Sequence, residues 1–298
     1  MSTICTPAAS ALVSNSARPS LWRNLAHTAA ENPLSLVAAA MLLAFLVVAT
    51  FGRALAPLDP FLTNAAATLQ PPSAQHWFGT DALGRDIFSR VLAGARIDFY
   101  IALGSVALAA TGGTVLGLCA GFFGGRCEQL IGRTMDMLMA FPLFVLAMAI
   151  VAALGNTVAN IVYASAIINL PFYVRLARAE TSVLRHAGFI EAAQLCGARS
   201  PRLLFRHLLP NILPPLAVQA SLNMGWAMLN AAGLSFIGLG VRPPTPEWGL
   251  MVSEGAGYVI SGEWWIPLFP GLALMLAVLT FNLLGDGLRD LVDPKRRG

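Results

Sequence analysis

MLMAFPLFVLAMAIVAALGNTVANIVYASAIINLPFYV, residues 137–174, runs for 38 positions without a charge. A bilayer core of ~30 Å is crossed by about 20 apolar residues in a helix. The run is therefore nearly two bilayer thicknesses long. Gly155, Asn156 and Thr157 sit near its middle and have the composition of a turn. One helix or two is the decisive question, because the answer sets the side of the membrane on which everything after Val174 lies. Split at the turn, the run predicts a third and a fourth span.

Four more uncharged runs flank it: residues 32–52, 99–125, 208–241 and 264–285. They predict spans one, two, five and six. The first is preceded by Arg18 and Arg23, as a signal peptide would be, but its apolar core far exceeds the usual 7–15 residues, so an uncleaved helix is expected. Composition agrees. Of 298 residues 56% are hydrophobic and 11% charged, and mean hydropathy is +0.67. A soluble domain carries roughly 25% charged residues. The expected fold class is an all-α membrane protein with six transmembrane helices.

Orientation follows from the arginines, since basic residues concentrate on the cytoplasmic side. With the N-terminus inside, inner segments hold 14 of 19 basic residues, and only Arg53, Arg85, Arg90, Arg96 and Arg242 lie outside. Were residues 137–174 one helix, the six arginines from Arg175 to Arg206 would face outward. Both termini are thus expected in the cytoplasm. The expected divisions are an N-terminal arm (1–33), a first helix (34–56), an external segment (57–96), a core of five spans (97–288) and a tail (289–298). Leu83, Ile87 and Val91 recur every four residues, which predicts a helix over 82–96 lying along the outer membrane surface. Residues 242–263 read as a Pro- and Gly-rich external loop, and the Gly285-Asp286-Gly287 run as a helix end.

Several function classes fall away. The predicted spans contain no Asp, Glu, Lys, Arg or His, whereas proton- or ion-coupled carriers place ionisable groups in the membrane. No P-loop, HExxH or GxSxG pattern occurs, and His27, His76, His186 and His207 are scattered. The chain is expected not to be an enzyme and to hold no cofactor. Cys5, Cys119, Cys127 and Cys196 lack metal-ligand spacing, so no metal site is expected. The arginines form no aromatic-interleaved patch, which argues against nucleic acid. A passive channel is one alternative, but only neutral amides are available in the spans to select a solute. Asn223 and Asn230 lie seven apart on span five with Trp226 between them. They either bond between helices or line a passage for a polar solute. Gly113, Gly117 and Gly121 in span two allow close helix approach, within this chain or with a second subunit.

One inner segment stands apart. Residues 191–210 read EAAQLCGARSPRLLFRHLLP. Glu191, Ala192 and Ala193 favour a short helix over 187–198, Gly197 is a C-terminal stop, and Pro201 blocks continuation. Paired alanines leave a slim face that can enter a groove, and Glu191, Arg199 and Arg206 supply orienting charge.

This segment resembles the EAA signature of binding-protein-dependent ABC importer permeases, with Glu191, Ala192, Ala193, Gly197, Leu209 and Pro210 matching and His207 departing at the isoleucine position. Residues 76–90 (HWFGTDALGRDIFSR), 234–240 (LSFIGLG), 247–249 (EWG) and 282–294 (NLLGDGLRDLVDP) are similar to the C-type subunits of the dipeptide, oligopeptide and nickel branch, dipeptide and D-alanyl-D-alanine permeases included. The resemblance runs from about residue 55 to 294. It implies a methionine-permease-like core plus an N-terminal helix, in a bacterial inner membrane. Implied partners are a homologous second permease, two ATPase subunits that use ATP and Mg, and an external binding protein. Residues 178–210 become the ATPase-coupling loop. The implied cargo is a di- or oligopeptide, or alternatively nickel, glutathione or another small solute.

Overall fold

The computed structural model describes residues 33–292. The N-terminal arm before Pro33, with Cys5, Arg18, Arg23 and His27, and the end of the tail, with Lys295, lie outside the described residues. Nine helices organise the rest: α1 (Pro33–Leu55), α2 (Ile87–Phe123), α3 (Gly125–Met139), α4 (Leu143–Leu154), α5 (Val158–Leu184), α6 (Gly188–Leu195), α7 (Leu209–Phe236), α8 (Trp248–Ala256) and α9 (Trp265–Val292). A single turn (Ser200–Arg202) and a π-helical stretch (Leu203–Leu208) lead into α7.

Four helices, α1, α2, α5 and α9, are long and apolar enough to cross a membrane. A fifth span arises if α3 and α4, which meet at 88°, count as one. Here the expected third span differs from the structure. Residues 137–139 belong to α3, and the chain breaks at Ala140–Pro142 because a residue before proline is pushed out of the helical region. The 12-residue α4 spans only about 18 Å. Helix α7 has the length, 28 residues, but its prolines and amides dilute its apolarity.

Helix α2 corrects two expectations. No separate surface helix covers residues 82–96. Asp86 caps α2 by accepting from the Ser89 amide at 2.8 Å, and the helix then runs unbroken for 37 residues, about 55 Å. That exceeds the ~30 Å bilayer core by several turns, and the helix is one continuous rod. The apolar stripe points inward: Ile87 and Val91 are buried, while Leu83 is exposed in the preceding turn. The second correction concerns charge. Arg90 and Asp98 lie inside α2 and are 1% exposed, so the helix carries buried ionisable groups after all.

Two further boundaries differ. Gly285-Asp286-Gly287 does not end a helix; α9 continues through it to Val292, with Gly285 seated against the Leu222 side chain. The loop expected to be external, before α9, contains α8, whose N-terminus Glu247 caps with both carboxylate oxygens.

The glycine spacing in α2 is resolved in favour of contact within the chain. A Cβ on Gly113 would stand 2.5 Å from Tyr173 Cβ, on Gly117 2.6 Å from Ala177 Cβ, and on Gly121 2.7 Å from Thr181 Cβ. These partners all lie on α5, so the two backbones meet along three turns. Close packing, not apolar transfer, holds helices together in lipid. Around this pair, Phe45 of α1, Trp248 of α8 and Phe281 of α9 close the main core, with Phe45 edge-on to Phe281 at a centroid distance of 5.6 Å.

Candidate coupling surface

Helix α5 ends at Arg185, whose guanidinium donates to the Gly121 carbonyl at 3.1 Å and ties the loop's start to the foot of α2. The next helix, α6, is only two turns long, too short to persist alone. Two features hold it. Ile190 points inward and is fully buried beside Leu203, Leu204 and Leu208 of the π-helical stretch. Burying such a side chain is worth about 1.5–3 kcal/mol. The far end is closed by paired backbone bonds: the Ala198 amide donates to the Ala193 carbonyl at 3.0 Å and the Gly197 amide to the Gln194 carbonyl at 2.9 Å. This closure requires a left-handed residue, and Gly197 has φ +79°. A Cβ there would touch nothing within 4 Å, so the backbone angle, not space, demands glycine.

Anchoring one face presents the other. Glu191 and Ala192 are exposed, Ala193 is half-buried against the core, and Leu195 is 90% exposed. Arg199 and Arg206 are exposed to either side, and Pro210 is exposed on the first turn of α7. All seven residues expected at the coupling surface therefore sit on one anchored loop, six of them turned outward. The carbonyl of His207 accepts from Asn211 Nδ2 at 2.6 Å. Below the loop, exposed ion pairs brace α3 to α5: Arg175 with Asp136 at 2.7 Å, and Arg178 with Glu128. Exposed pairs of this kind contribute ~0–1 kcal/mol each.

The expected path residues differ in burial. Asn223 is 4% exposed and accepts from Gln219 Nε2 at 3.0 Å. Trp226, three residues on, is 62% exposed, and Asn230 is half-buried. Three residues along a helix turn about 300°, which leaves Asn223 and Trp226 about 60° apart on neighbouring parts of one face, and burial is what distinguishes them. Trp226 is exposed together with the apolar side chains of Leu229 and Phe236.

Sequence reasoning missed a buried ionic knot at the outer end. Arg85 Nε donates to Asp81 Oδ2 at 2.6 Å, Arg85 Nη2 to Glu254 Oε2 at 3.1 Å, and Arg90 Nη2 to the same oxygen at 3.5 Å. His76 Nδ1 lies 2.9 Å from Asp86 Oδ1. The stretch 76–90 thus clasps α8 and, through Trp265 Nε1 donating to the Thr80 carbonyl at 3.2 Å, α9. Its density of Asp and Arg beside an apolar stripe was the available signal.

Comparison with known proteins places this architecture. Residues 113–298 match the family of binding-protein-dependent transport system inner membrane components, and the chain belongs to that family of transporter permeases. Among curated relatives, the probable D,D-dipeptide transport system permease protein DdpC of Escherichia coli (strain K12) is 47% identical, over 90% of this chain and 89% of the relative. The dipeptide transport system permease protein DppC of Alkalihalophilus pseudofirmus is 44% identical over 93% and 90%. The glutathione transport system permease protein GsiD of Escherichia coli O157:H7 is 44% identical over 93% and 91%. Among solved structures, an inward-facing form of the MetNI methionine ABC transporter superposes with a TM-score of 0.55 at 16% identity, covering 68% of this chain and 97% of that one. The fold is therefore the methionine-permease-like core with additional N-terminal structure.

Proposed function

We propose that this chain is the C-type permease of an ATP-driven importer of di- or oligopeptides in a bacterial inner membrane, and that α6 with its Gly197 closure is the surface on which an ATPase subunit docks. The observation that carries the reading is the anchored loop: Ile190 fixes α6 to the core while Glu191 and Ala192 face out. A rigidly mounted helix passes a push to its spans. In this reading the bent pair α3–α4 and the amide-bearing α7 complete six crossings. A homologous second permease packs beside this one, two ATPases sit beneath, and an external binding protein supplies the cargo. ATP and Mg belong to the ATPases, since no phosphate-binding loop exists in this chain. The peptide assignment is supported by the names of the 44–47% identical relatives. A glutathione cargo is the second reading, supported by the 44% identity to GsiD.

The test is uptake of labelled dipeptide, D-alanyl-D-alanine and glutathione by cells carrying the complete importer. Gly197→Trp should abolish uptake while the protein remains at wild-type level in the membrane. Undiminished uptake by that variant rejects α6 as the coupling surface.

A further inference from the structure

The outer half of the molecule holds a second acidic centre, apart from the ionic knot. Asp98, on α2, is 1% exposed and Glu247, at the N-terminus of α8, is fully buried. The two carboxyl groups lie against one another. Three of their four oxygens have backbone donors: Glu247 Oε1 accepts from the Gly249 amide at 2.8 Å, Glu247 Oε2 from the Leu250 amide at 2.7 Å, and Asp98 Oδ2 from the Trp248 amide at 3.1 Å. The fourth, Asp98 Oδ1, is buried and has no donor among the described residues.

Among the described residues no cation balances the pair. Arg90, two turns back on α2, is committed to Asp81 and Glu254. Arg242 donates to Asn156 at 2.7 Å, and Arg96 is exposed. From α7 the facing side chain is the neutral Ser235 hydroxyl. The amides at the start of α8 suit one carboxylate. Two adjacent carboxylates buried this deeply do not both stay ionised without a compensating cation. An unpartnered buried carboxylate oxygen beside an acceptor is where a proton would resolve both problems.

We propose that Asp98 and Glu247 form a proton-binding site in which a single proton, carried on Asp98 Oδ1, is donated to Glu247. The shared proton joins α2 to the external helix α8, through residues that neither the coupling loop nor the ionic knot uses. Burial also pushes the Glu247 carboxyl above the usual range. The linkage sign follows. Carboxyls of an unfolded chain lose their protons near pH 4. The folded pair keeps one proton at higher pH. The folded state then binds more protons than the unfolded state, so stability is full below the ordinary carboxylate range and declines as pH rises above it.

The experiment uses the full chain, purified in lipid nanodiscs, with infrared titration and thermal unfolding. The wild type should show a protonated-carboxyl band at pH 7, where ordinary carboxyls are ionised. Asp98→Asn should remove it, since the amide donates to Glu247 permanently. Asp98→Glu should retain it at a shifted frequency. The unfolding midpoint of the wild type should fall with rising pH by roughly 2–4 °C per unit, and that of Asp98→Asn should be insensitive to pH. Absence of the band from the wild type at pH 7 overturns the proposal, and so does a band that survives unshifted in both variants. Should the variants fail to fold, the wild-type spectrum still decides. Because neither readout involves transport, the result is independent of the cargo or the coupling role.

Discussion

Arg85 and Glu254 stand 169 positions apart in the chain, yet Arg85 Nη2 donates to Glu254 Oε2 at 3.1 Å. That bond and its neighbours fasten the external segment, the outer end of α2 and α8 into one body. Asp81 is the centre of the cluster: it receives Arg85 Nε, lies 3.7 Å from Arg90 Nε, and accepts the Leu83 and Arg85 amides. Removing one partner of a buried ionic group leaves the others uncompensated. Asp81→Asn should therefore cost about 3–5 kcal/mol, read as a lowered unfolding midpoint in detergent. Glu254→Gln should cost less, because its side chain is 30% exposed and water screens the loss.

Glycine-to-alanine substitutions should divide by position. A Cβ on Gly117 would lie 2.6 Å from both Ala177 Cβ and the Val174 carbonyl oxygen. Helices α2 and α5 would have to part, at about 1–3 kcal/mol. Gly132, in α3, has nothing within 4 Å of that position, and Gly132→Ala should stabilise by about 0.5–1 kcal/mol through backbone entropy. Paired thermal melts of the two variants give the comparison. Equal effects would contradict the close α2–α5 contact.

Cys196 offers a native probe of sidedness. It is a free, exposed thiol at the end of α6. With the other cysteines replaced by serine, a membrane-impermeant maleimide should label it in inside-out vesicles and leave it untouched in intact cells. A cysteine introduced at Ile260, 96% exposed in the loop after α8, should give the opposite pattern. Labelling of Cys196 from outside would invert the orientation.

Asn223 and Trp226, grouped by their sequence spacing, should behave differently. Asn223→Ala strands Gln219 Nε2 and should destabilise by about 1–3 kcal/mol. Trp226→Ala removes an exposed ring and should change stability by no more than about 0.5 kcal/mol. If the exposed apolar side chains of α7 meet the translocation path or the second permease, Trp226→Ala should nonetheless lower uptake. Melting and uptake assays run side by side on both variants separate the two effects.

The local structure of the loop that carries α6 was almost fully legible in sequence. A helix former, a glycine stop and a proline follow one another within a few residues, and each acts through its own backbone, so local reading suffices. The same reasoning failed where distant segments meet. Gly285 and Gly287 read as a stop, but α9 packs on Leu222 and keeps its helix. The outer stripe at Ile87 and Val91 read as lipid-facing, but the core of α1, α8 and α9 receives it. Arg90 and Asp98 could be counted in the sequence; that they are buried depends on partners from α8.

By itself the sequence determined an all-helical membrane chain and a short helix within residues 187–198 closed by Gly197, because hydropathy, proline, glycine and capping act over a few residues along one strand of backbone. Only the tertiary structure decided that α2 is a single 37-residue rod, that its glycines face α5, and that its buried charges meet Glu254 and Glu247. Those outcomes turn on which surfaces are brought together in space, and burial and charge pairing exist only once they are.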